Sequence, residues 1–153
     1  MNGKLRSVVS ERRAGGQALV EFSLAFIVFV VLLMAVFDFG RGIYIYNGVS
    51  QAAREIARTT SVHPGNPLGQ SPEALQAIAV QRGLVPGIEI QPMQCVDVDG
   101  TAFVPPHPTC REGDYVVVTV KSVYRPVAIL AFLGTFTLES TSSVQVPTSG
   151  VAP

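Results

Sequence analysis

The chain is poor in the residues from which most catalytic and metal sites are built. It has two histidines, His63 and His107, both in loop sequence with no partner at ligand spacing, and two cysteines, Cys95 and Cys110. There is no Cys-x-x-Cys pair and no clustered histidine, which argues against a metal or thioredoxin-type site. A Ser/His/Asp set, a metal-ligand cluster and a glycine-rich phosphate loop are also missing, so an enzyme is the weakest of the readings, and no cofactor or small-molecule substrate is expected. The short acidic run Asp97-Val98-Asp99-Gly100 does not follow the calcium-loop pattern, in which the glycine stands sixth and a distant glutamate closes the loop. It reads as a turn at Asp99-Gly100.

Charge is sparse as well, at 14% of residues and net zero, but it is unevenly placed. Lys4, Arg6, Arg12 and Arg13 against Glu11 leave residues 1–16 at +3 and the remaining 137 residues at −3. The cations adjoin an apolar run and are not interleaved with aromatics, so a nucleic-acid face is not supported.

What the chain does have is residues 15–46, GGQALVEFSLAFIVFVVLLMAVFDFGRGIYIY. Between the carboxylates of Glu21 and Asp38 lie sixteen residues of which only Ser23 is polar. That core is slightly short of the ~20 residues a bilayer requires, and the flanking residues 17–21 and 38–45 supply the rest. Glu21 then falls near one interface, where a carboxylate costs less than the ~2.5–3.5 kcal/mol of the bilayer centre. Tyr44 and Tyr46 could form an aromatic belt at the other. The basic leader should stay in the cytoplasm and the rest lie on the far side of the membrane, in a periplasm or at the cell surface.

Other uses of an apolar run fit less well. A cleavable secretory signal needs small residues after it, whereas Phe37-Asp38-Phe39-Gly40-Arg41 follows here. A buried core helix of a soluble domain would carry a polar stripe, and this one is apolar all round. A signal-anchored extracytoplasmic binding domain stays open as the alternative.

Downstream, Ile45, Val49, Ala52, Ala53, Ile56 and Ala57 recur at three- and four-residue spacing, so the helix should continue through residues 39–60 with that face apolar and with Gln51, Arg54, Glu55 and Arg58 opposite. Gly40, Gly42 and Gly48 each weaken it by about 1 kcal/mol relative to Ala, which makes a kink beyond the membrane an expectation. Residues 61–70 are loop. A short helix over 72–82 is capped by Ser71, opens on Pro72, buries Leu75, Ile78 and Ala79 and stops at Gly83.

Three strands are expected: 88–98, broken by Pro92 and so at a sheet edge; 115–124, rich in β-branched residues; and 136–146. Residues 126–134 are an apolar connection whose neighbours the sequence leaves open, with core packing favoured over the membrane or a partner. Residues 1–16 should lack stable structure, and the tail at 148–153 should be disordered. Outside the cytoplasm Cys95 and Cys110 would form a disulfide, with two buried free thiols as the other option. By the chain-entropy relation such a bridge contributes roughly 3 kcal/mol. The expected class is α+β: a transmembrane helix over 17–38, its extension over 39–60, and an extracytoplasmic domain over 61–147 with a short helix and a three-stranded antiparallel sheet.

Gly16-Gln17-Ala18-Leu19-Val20-Glu21-Phe22, a glycine with a carboxylate five residues on ahead of the apolar run, resembles the prepilin signal of type IV pilins. With Asp38-Phe39-Gly40-Arg41 and Ala52-Ala53-Arg54-Glu55-Ile56-Ala57-Arg58, the chain over 13–60 is similar to the TadE-like family, the pseudopilins of tight-adherence (Flp-type) pilus systems. Ile56 stands where the family's second motif has glycine. Phe22 replaces the tyrosine of the major Flp pilins and, with the chain's length, points to a minor pseudopilin. The resemblance implies cleavage by a prepilin peptidase after Gly16, Gln17 as the new terminus, and Glu21 and Phe22 at the assembly contact. Its implied partners are the membrane, the peptidase, other pilins or pseudopilins and the pilus machinery.

Overall fold

The computed structural model describes residues 3–103, 106, 108–127, 131–132 and 134–148, with the backbone alone over 3–15. The elements follow in the order α1 (Gly3–Ser61), α2 (Pro72–Leu84), β1 (Ile88–Ile90), β2 (Gln94–Val96), β3 (Tyr115–Tyr124) and β4 (Phe136–Gln145). The architecture is the expected α+β one, a long apolar helix leading into a short helix and an antiparallel sheet. Residues 1–2, His107, residues 128–130 and 133 of the apolar connection, and residues 149–153 of the tail lie outside the description.

α1 runs unbroken for 59 residues. Residues 3–16, expected to lack structure, are its first turns; no proline interrupts them, and Leu5, Arg6, Arg12, Arg13 and Ala14 are all good helix formers. Helix also continues through Gly40, Gly42 and Gly48. One of these glycines is a notch for the domain. A Cβ on Gly48 would lie 2.7 Å from Val85 Cγ2, whereas one on Gly42 would make an ordinary contact with the Tyr124 ring at 3.6 Å and Gly40 faces open space. Close approach of the domain explains why a helix-weakening residue stands at Gly48.

The apolar face read from the sequence is the buried one. Val49, Ala52, Ala53, Ile56 and Ala57 are fully buried, and Ile45 packs at their margin. They meet Val116, Val118 and Val120 of β3, with Val85, Ile88, Cys95, Cys110 and Val146 completing the core. Each fully buried Val or Ile in such a core contributes about 1.5–3 kcal/mol.

β3 is the central strand. β4 pairs with its whole length, from Tyr115↔Gln145 to Tyr124↔Phe136. The other edge of β3 is shared by β1, which pairs with Val120–Ser122, and β2, which pairs with Tyr115–Val117. The strand expected over 88–98 is therefore two strands on one edge, making four in all. Pro92 has no N–H to give a ladder, so pairing stops there and resumes at Gln94. Along β3 the burial alternates, with Val116, Val118, Val120, Ser122 and Tyr124 turned toward α1.

α2 starts as expected: Ser71 accepts the Ala74 amide at 3.1 Å and Pro72 opens the first turn. It ends at Leu84, one residue past Gly83, where the extended Val85 and Pro86 stop it. The buried face also differs. Ala74 is buried and Ile78 half-buried, while Leu75 and Ala79 are exposed. The covered face is thus rotated by about one position from the expected one, with the small Ala74 rather than Leu75 turned inward. In the turn after β2, Asp97 Oδ1 accepts the amides of Asp99 (3.0 Å) and Thr101 (2.8 Å), and Gly100 takes φ +80°. The acidic pair is thus a turn. Cys95 and Cys110 form a disulfide, with Cα atoms 5.5 Å apart, that ties β2 to the start of the 111–114 turn.

Candidate functional site

Two places on α1 bear on function. At its apolar end, Gly16, Gln17, Glu21 and Phe22 follow one another within two turns and are all exposed. Gln17 and Glu21 are four apart and so share a face. Phe22 and Phe26 stack at 5.9 Å between ring centroids. Ser23 donates its hydroxyl to the Leu19 carbonyl at 2.7 Å, which hides the only polar side chain of the sixteen-residue run. From Gly16 to Asp38 the helix rises about 33 Å at 1.5 Å per residue, a match for the ~30 Å hydrocarbon core of a bilayer. Up to Phe37 none of its side chains is buried by the domain: Leu24 is 70% exposed and Phe37 72%. Residues 16–61 form the one helix among the described residues that is long and apolar enough to cross a membrane.

The second place is the junction at Asp38, which the sequence reading used as the end of the apolar run and the first residue of a family motif but to which it gave no contact in the fold. Asp38 is the first residue of the described α1 side chains that the domain buries, at 4% exposure. Its side-chain Oδ1 accepts the Val127 amide at 3.2 Å, and its backbone carbonyl accepts the Tyr124 hydroxyl at 2.6 Å. Tyr124, itself buried, lays its ring on Gly42 one turn further along. A carboxylate so close to a membrane-length run is tolerated because it is hydrogen-bonded inside the domain. Residues 38–45, expected to finish the span, are in part already under the domain. No short-range signal could have paired Asp38 with Tyr124, since 86 positions separate them.

On the outer half of α1, Arg58 donates to Glu55 at 2.9 Å, and this hydrogen bond is the main cause of a lowered Glu55 pKa. His63, a lone histidine in the sequence, sits 3.4 Å from Glu73 of α2 and bonds Thr59 O through Nδ1 at 3.0 Å. Glu55, Thr59 and Glu73 also line an open groove of about 720 Å³ between α1 and α2, with Arg54, Ala77 and Val80 among its other walls. Glu55 pairs along its own helix with Arg58 and Glu73 with His63 just past the end of α1, the pattern of a solvated face.

The family model of TadE-like protein matches residues 16–58. Over that stretch, somewhat more than a quarter of the chain, the sequence is similar to that family. The matched segment begins at the glycine before the apolar run, takes in Glu21 and Asp38, and ends at Arg58, wholly inside α1. The family is a pilus-associated structural one, linked to tight-adherence systems. No curated protein and no solved structure matches the chain. The matched segment thus takes in the membrane-length run and the helix face that carries the core, while the sheet domain is described by its own geometry alone.

Proposed function

We propose that the protein is a membrane-anchored minor pseudopilin that takes part in assembling a tight-adherence pilus. The observation that carries this reading is the TadE-like match over 16–58, whose first residue is the glycine at which a prepilin peptidase would cut. Residues 1–16 are the leader, 17–38 span the bilayer with the N-terminus in the cytoplasm, 39–60 extend the helix, and 61–147 form the extracytoplasmic domain. The Cys95–Cys110 disulfide supports an oxidising compartment for that domain.

The bond between Gly16 and Gln17 lies within the helix, so a peptidase must unwind it locally. Gly15 and Gly16 lower that cost by about 1 kcal/mol each relative to alanine, and Gly16 puts no side chain in the way of an extended peptide in the cleft. The cut leaves a free amine on Gln17, one turn from Glu21. In a filament or its base, Glu21 of one subunit meets the amine of a neighbour. An ion pair in that setting acts as a register key, because desolvation offsets most of its attraction.

Mass spectrometry of the membrane-extracted protein, from cells with an active prepilin peptidase, tests the reading. The expected mature form begins at Gln17 and is lost in Gly16→Leu. An intact leader in those cells would sink the proposal and leave a plain signal-anchored binding domain. Glu21→Ala should insert normally yet yield no pili.

A further inference from the structure

A cut after Gly16 would put Gln17 at the head of the chain, and a glutamine there has a side-chain amide able to close on its own terminal amine. Attack of the α-nitrogen on Cδ forms a five-membered lactam, whereas asparagine, one methylene shorter, would need a strained four-membered ring. In the uncut chain this reaction is closed. The Gln17 nitrogen is then a peptide nitrogen inside α1, with its lone pair delocalised into the Gly16 carbonyl.

The fold leaves the reaction free once that bond is cut. The Gln17 side chain is exposed and makes no hydrogen bond or ion pair. The domain does not reach it, since Asp38 is the first described α1 side chain to be buried. Ring closure also takes nothing from the helix, because the first four amides of a helix have no helical acceptor. The competing partner of the new amine is Glu21, exposed and four residues on, on the same face. An amine that donates to a carboxylate is an ammonium, and an ammonium has no lone pair with which to attack. The terminus thus has two exclusive fates, contact with a carboxylate or cyclisation.

We propose that Gln17 is a self-modifying terminus that limits the time in which a cut subunit can assemble. The proposal rests on cleavage after Gly16 and on the Glu21 contact given above. In a subunit that has not joined a neighbour, the α-nitrogen attacks Cδ of its own side chain. The Nα–Cδ bond forms, the Cδ–Nε2 bond breaks, and one amine proton passes to the leaving nitrogen, which departs as ammonia. No oxidant, reductant or second substrate is consumed. The resulting pyroglutamyl terminus is neutral and offers no ammonium to Glu21, so an idle subunit loses its contact while a paired one keeps its amine.

The full-length chain is pulse-labelled in cells with an active prepilin peptidase. At each chase time the membranes are extracted straight into an amine-blocking reagent of heavy isotopes, which separates cyclisation in the cell from cyclisation during handling. Mass spectrometry of the N-terminal peptide should show the Gln17 amine early and then, in the unassembled pool, a form one ammonia lighter. Chains isolated with pili should retain the amine. Over the whole pool, Glu21→Gln should cyclise several-fold faster than the native chain, and Gln17→Asn should be cut yet keep its amine. An unassembled pool that begins at Gln17 and keeps its amine through the chase, or a Glu21→Gln rate equal to the native one, overturns the proposal with the cleavage intact. An intact leader in every sample overturns the processing reading and the proposal with it.

Discussion

Removing the Tyr124 hydroxyl tests whether Asp38 clamps the domain to the helix. In Tyr124→Phe the ring remains over Gly42 and only the 2.6 Å bond to the Asp38 carbonyl is lost. That carbonyl lies in the unbroken ladder of α1 and keeps a helical partner, so no acceptor is orphaned and the cost should be that of one net hydrogen bond, about 0.5–1.5 kcal/mol. Tyr124→Ala also empties a site that is 5% exposed, and should cost about 3–5 kcal/mol, as large aromatic truncations do. Against a domain stability of roughly 5–15 kcal/mol, the second change is severe. The chain has no tryptophan, so urea unfolding of the detergent-solubilised protein is best followed by pulse proteolysis. With a slope of about 1–3 kcal/mol per molar urea, a 1 kcal/mol loss moves the midpoint by roughly 0.3–1 M. A midpoint unchanged in Tyr124→Phe, together with a loss below about 1 kcal/mol in Tyr124→Ala, would refute the clamp.

The helix glycines should separate by their surroundings. Gly48→Ala, with its Cβ 2.7 Å from Val85 Cγ2, should destabilise by up to about 2 kcal/mol once the gain in helix propensity is set against overpacking, and Val85→Ala should relieve it. Gly40→Ala, with nothing within 4 Å, should gain up to about 1 kcal/mol; the same urea midpoints report both. Replacing Cys95 and Cys110 together by Ala should lower stability by about 3 kcal/mol, seen as a midpoint shift that reductant reproduces in the native chain.

Local pattern determined a large part of this protein. The membrane-length run, the apolar face from Ile45 to Ala57, the strand at 115–124 and the cap at Ser71 each depend on residues within a few positions of one another, and each appears where periodicity and propensity put it. The same locality explains the misses. Leu75 and Ala79 have the spacing of a buried face, but which face of α2 is covered depends on how α1 approaches, and the small Ala74 is the residue that fits. The 88–98 stretch is apolar enough for one strand, yet only pairing with β3 shows Pro92 dividing it into two.

For the candidate sites the division is sharper. Gly16, Gln17, Glu21 and Phe22 lie on one continuous stretch of helix, and their grouping is legible from spacing because a helix fixes it. Asp38 is another matter. In sequence it ends a hydrophobic run; in the fold it receives a hydroxyl and an amide from 86 and 89 positions away, which sets the end of β3 beside it. Only tertiary structure decides that contact, because chain closure over such distances carries no local signature: the sequence determines the membrane-length helix, and the packing determines how the domain stands upon it.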